Sequence, residues 1–189
     1  MRTCPGWGLL ALLGWTGSAT AGLLPVQVGK TSDGADYRYT YSILLESDTV
    51  LKTGDYFTIY DFAGFVAGSN AQPSAFAFQS LYTDPTPAQV LASDDPNLPN
   101  LTWRYTGPDT LAGQLDLGDF SAESEFGTTR DDDFTGRTHR KVDGHLNSNI
   151  TDTTVPVPMN DCHVPEPSSL LLFGLAGGGV ALRRWRRVG

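Results

Sequence analysis

The chain has 189 residues, with 21 acidic and 13 basic side chains and a net charge of −8. That length suits one domain around one core, and 40% apolar with only 18% charged residues excludes wholesale disorder. Four of the 13 basic side chains fall in the last seven positions, so the body is acidic and lacks the basic face that nucleic acid requires.

Residues 1–21 read as a secretory signal peptide. Arg2 supplies a positive start, Leu9 to Leu13 an apolar stretch extended by Trp15, and Ala19-Thr20-Ala21 a small-x-small cleavage site with Gly22 as the new N-terminus. The stretch is short for a membrane span. Gly6, Gly8, Gly14 and Gly17 make it a poor core helix.

Residues 22–146 predict an all-β domain, an antiparallel β-sandwich. In 37–45, Tyr37, Tyr39, Tyr41, Ile43 and Leu45 share one face, and Arg38, Thr40 and Ser42 the other. A short strand over 48–51 precedes a turn at Thr53-Gly54-Asp55. Tyr56 to Phe62 is apolar on both faces and predicts a central strand. A weaker strand lies near 75–82, and the proline-bearing stretch 83–100 reads as loop. Leu101, Trp103 and Tyr105 alternate with Thr102, Arg104 and Thr106, and Gly107-Pro108-Asp109 is a turn. Strands over 111–117, 120–126 and 134–142 complete about seven, with turn signals between them and no long helical pattern. Residues 147–163, rich in Asn, Thr and Pro, read as a stalk. Between residues 22 and 163 there are 20 acidic and 8 basic side chains, a net charge of −12.

The C-terminus carries a second topogenic pattern. Val164-Pro165-Glu166-Pro167 is held extended by its prolines, so its backbone is open to a processing enzyme and Glu166 offers one charge to recognise. The run Leu170 to Leu182 is apolar on every face, which excludes an amphipathic or core helix. Thirteen residues span about 20 Å as a helix against a bilayer core of about 30 Å. Ser168 and Ser169 at one end and snorkelling arginines at the other allow a transmembrane helix over about 168–182. The cluster Arg183, Arg184, Arg186 and Arg187 belongs on the cytoplasmic side.

Residues 164–189 resemble the PEP-CTERM sorting signal of Gram-negative bacteria: the Val164-Pro165-Glu166-Pro167 motif, the short apolar helix and the arginine cluster occur in that order. The resemblance implies an exosortase-type processing enzyme as partner, a transient membrane intermediate, then the cell surface or extracellular space, and an association with exopolysaccharide. More loosely, Gly54 to Phe62 and Asn100 to Tyr105 are similar to segments of such proteins that have no assigned activity.

The body offers little chemistry. Cys4 leaves with the signal peptide, so Cys162 stands alone, as an inert thiol or a link between chains. Cys162, His139, His145 and His163 lack zinc-ligand spacing. Asp131-Asp132-Asp133 and Asp94-Asp95 read as solvated acidic loops, with a specific calcium site as the alternative, though neither fits the spaced-ligand loop of a calcium hand. Glu46, Glu123 and Glu125 are the acids open to a hydrolase, yet the last two sit on the polar face of a strand. No nucleophile elbow, phosphate loop or dinucleotide fingerprint occurs. The expectation is a non-enzymatic surface or matrix protein without metal or cofactor. The alternative is a carbohydrate-binding module, which would expose two or more coplanar aromatics; a structural domain would bury Tyr37, Tyr39, Tyr41, Trp103 and Tyr105.

Overall fold

The computed structural model describes residues 22–83 and 85–158. The expected signal peptide, the Val164-Pro165-Glu166-Pro167 motif, the transmembrane segment, the arginine cluster and Cys162 lie outside them. Among the described residues there is no helix, and every strand pairing is antiparallel.

One sheet has three strands in the order β1 (Leu23–Asp33), β2 (Asp36–Leu45) and β8 (Leu115–Ser124). The other has the order β5 (Phe76–Leu81), β6 (Asn100–Tyr105), β4 (Tyr56–Ile59), β9 (Thr128–Arg140), β3 (Thr49–Leu51) and β7 (Leu111–Ala112). Strand β10 (Leu146–Val157) pairs with β9 along its length, on the side opposite β4 and β3. The loop Gly34-Ala35 closes the β1–β2 hairpin, and Gly34 takes φ +66°, a conformation glycine adopts at no steric cost.

The period-two pattern of β2 survives intact: Tyr39, Tyr41, Ile43 and Leu45 are buried while the residues between them are half-buried. These side chains and Phe120 and Ala122 of β8 meet Phe57, Ile59, Leu101, Trp103, Phe134 and Val155 of the facing sheet in one core. Phe57 is its centre, stacked on Trp103 at 5.3 Å and Phe134 at 5.4 Å and meeting Phe120 edge-on at 4.9 Å. Burial pushes the Tyr39 phenol up to about 12.

Strand β4 is buried on both faces, as its unbroken apolar run predicts. On its outer face Thr58 shares a hydrogen bond with Thr102 at 2.7 Å. Tyr60, just beyond β4, bonds Thr86 of the long proline-bearing loop at 3.0 Å.

Two expectations are corrected. Residues 147–157 of the expected stalk are a strand, so the folded body reaches Pro158 rather than 146. Asn147, Asn149, Thr153, Val155 and Val157 alternate inward and are buried. The signal is hidden because asparagine and threonine occupy core-facing positions: Asn147 and Asn149 bond hydroxyl and backbone groups there, and Thr153 is buried between them and Val155. The acidic triplet Asp131-Asp132-Asp133 is likewise no loop: it lies within β9, paired with Asp152, Thr153 and Thr154 of β10.

Candidate functional site

Strand β10 is the element that carries the chain towards its C-terminus, and it is firmly held. The Tyr41 hydroxyl donates to the Thr154 carbonyl at 2.9 Å, the Ala63 N–H donates to the Pro156 carbonyl at 3.3 Å, and Val155 and Val157 are buried. Gly22, the expected new N-terminus, is buried at the start of β1 beside the same strand. The two expected processing regions thus adjoin the first and last strands, while Ala19 and Ala21 lie outside the described residues.

Beside β9 lies an acidic cleft of about 530 Å³. Asp61, Asp94, Asp95, Asp131, Asp132, Asp133 and Asp152 line it together with Ser93 and Arg130. Residues 93–95 of the long loop fold back over β9: the Ser93 N–H donates to Asp133 Oδ2 at 2.5 Å and the Asp95 N–H to Asp61 Oδ1 at 2.9 Å. Arg130 Nη2 lies 3.0 Å from Asp61 and 2.7 Å from Asp132. Asp61 is 4% exposed, and burial raises its carboxyl from 3.8 to about 6, against the pull of the Asp95 N–H and of Arg130. Among the described residues no group of three or more His, Cys, Asp or Glu is placed to hold a metal ion.

A second buried charge sits at the other end of β9. Asp55 is fully buried and accepts from the Lys52 N–H at 2.9 Å, while His139 Nδ1 lies 2.9 Å and Arg137 Nε 3.4 Å from its oxygens. Arg104 and Arg137 flank the Tyr56 ring at 4.9 and 5.2 Å and both donate to the Gly54 carbonyl. His145 lies beyond the next turn, and sequence spacing gave no sign of the Asp55–His139 pairing because 84 positions separate them.

The remaining sequence candidates disperse. Glu123 is bound by Arg38 on the outside of the three-stranded sheet. Asn100 and Asn149 are buried and hydrogen-bonded within the body. Of the five aromatics that separate a structural domain from a sugar-stacking one, Tyr39, Tyr41 and Trp103 are fully buried, Tyr105 nearly so and Tyr37 half-buried. Among the described residues Tyr82 is the large exposed aromatic.

The chain's class is set by its C-terminal segment: it is a folded β domain bearing a sorting signal. Residues 163–187 match the family described as the PEP-CTERM protein-sorting motif, beginning five residues beyond Pro158. The expected PEP-CTERM signal is therefore present. It implies exosortase processing and export to the cell envelope or surface. No curated protein matches the chain. Among solved structures it is similar to the GAE domain of GGA2p from Saccharomyces cerevisiae, at 8% identity and a TM-score of 0.31 over 68% of this chain and 86% of that one. That likeness is too distant to bear on function.

Proposed function

We propose that this chain is a non-enzymatic protein of the cell surface or extracellular matrix, exported by its N-terminal signal and placed by exosortase-type processing at Val164-Pro165-Glu166-Pro167, with exopolysaccharide as its surroundings. The PEP-CTERM match over residues 163–187 carries this reading. The body supports it in two ways. Among the described residues most aromatic side chains are spent on the core, and Tyr82 is exposed without a second aromatic among the exposed large hydrophobics to make a sugar-stacking pair. Its net charge of −12 over residues 22–163 favours a soluble particle that resists non-specific association.

The test is the double substitution Pro165→Ala with Glu166→Ala in the native host. Export stays intact because residues 1–21 are untouched, and the protein accumulates as a membrane-bound species that retains its arginine tail. Intact mass reads the retained tail directly. Processing and release like the wild type would reduce the motif to a linker and end the sorting proposal.

A further inference from the structure

We propose that the Asn149 side chain is a latch that holds Gly22 and Leu23, the residues following the signal-peptide cut, so that cleavage is fast before β1 docks and slow once it has docked. The inference rests on reading Ala19-Thr20-Ala21 as a cleavage site and is independent of the C-terminal signal.

The two residues on the product side of that cut are locked in the folded body. The Leu23 N–H donates to Asn149 Oδ1 at 3.1 Å, and Asn149 Nδ2 donates to the Leu23 carbonyl at 2.7 Å. One side-chain amide thus satisfies both backbone groups of Leu23, as a neighbouring strand would. The Gly22 carbonyl accepts from the Glu46 N–H at 3.0 Å. Leu23 is fully buried, and a Cβ on Gly22 would come 2.5 Å from Asn149 Oδ1 and 3.1 Å from Thr138 Oγ1. A peptide bound in extended form gives its backbone groups to the partner that receives it. Here those groups are already taken, and the chain beside the cut lies in a slot with no room for a side chain.

The order of synthesis makes this a timed device. Asn149 lies 126 positions after Leu23, on the last strand of the body. The latch cannot close until the chain past residue 149 has crossed the membrane and β10 has paired with β9. Gly22 and Leu23 are open to the peptidase during export and closed to it afterwards. A chain that escapes cleavage folds into a body tethered at its buried edge by an uncut signal.

The experiment uses the full-length precursor, held in detergent, with purified signal peptidase. Precursor diluted from urea directly into enzyme is cut at once. Precursor folded beforehand is cut about tenfold more slowly or worse, because cleavage waits on local opening of β1. Inserting Gly-Ser-Gly-Ser between Ala21 and Gly22 leaves every latch contact in place and moves the cut site clear of it, so the folded form is then cut as fast as the unfolded one. Asn149→Ala also speeds cutting of the folded form. Equal rates for folded and unfolded wild type, or a spacer variant as slow as wild type, overturn the latch alone. Failure to cut even the unfolded chain overturns the signal-peptide reading and the latch with it.

Discussion

Asp55 Oδ2 lies 2.9 Å from His139 Nδ1, tying the turn before β4 to the end of β9 beneath a fully buried carboxylate. The same carboxylate takes the Lys52 N–H and faces Arg137, while the Asp55 carbonyl accepts from the Tyr105 N–H at 2.8 Å. Asp55→Ala strands the side-chain donors together. It is expected to cost about 2–3 kcal/mol, below the full range for breaking a buried pair because Arg137 keeps about a third of its surface in water. Urea unfolding of residues 22–158 measures it, and an unchanged midpoint would show that solvent replaces the lost partner.

Asp61 sets a pH dependence of defined sign. Its carboxyl is raised from 3.8 to about 6 by burial, so the folded state holds the proton more tightly than the unfolded chain does. Its contribution is therefore most favourable below 3.8, is lost as pH rises towards about 6, and is level above that. Asp61→Asn is expected to flatten this part of the profile. Asparagine tolerates the positive φ of +53° at this position, and Arg130 keeps Asp132. Thermal melts of both proteins across that interval decide the matter: a decline equally steep in Asp61→Asn would assign it to other groups.

Chelation is expected to leave the melting temperature unchanged. The oxygens of the acidic cleft are directed at Arg130, at the N–H groups of Ser93 and Asp95, and at the Thr154 hydroxyl, in place of a cation. Melts with calcium and with excess chelator check this, and a clear separation of the two curves would place a metal in the cleft.

How legible each strand is in the sequence depends on which atoms it buries. Strands β2, β4 and β6 bury tyrosine, phenylalanine, isoleucine, leucine and tryptophan, so alternation or an unbroken apolar run marks them. Strand β1 escapes because most of it is exposed and Pro25 sits at a break in its register. Strand β10 escapes because Asn147, Asn149 and Thr153 stand where valine would be legible. Asn149 is there to bond the backbone of Leu23, a need that arises only once the two ends of the body meet. The acidic cleft was half visible: both aspartate runs stood out, but only the fold brings Asp61 and Arg130 between them. The sorting signal needed no fold, since its message is local.

The placement of β10 predicts where the body can be cut short. A chain of residues 22–158 is expected to be soluble, β-rich by circular dichroism and cooperative in its melt. A chain of residues 22–146 lacks β10, and three losses then coincide. Strand β9 loses its partner from Thr128 to Thr138. Val155 and Val157 leave the core, each worth about 1.5–3 kcal/mol when fully buried. Leu23, Tyr41 and Ala63 lose the groups they bond on β10. Against a total stability of about 5–15 kcal/mol for a typical domain, the sum is enough to abolish folding. The shorter chain is therefore expected to give no cooperative transition and to aggregate through the bared edge of β9. If both chains melt cooperatively at the same temperature, β10 is an accessory strand, and residues 147–157 serve as the spacer that their composition suggests.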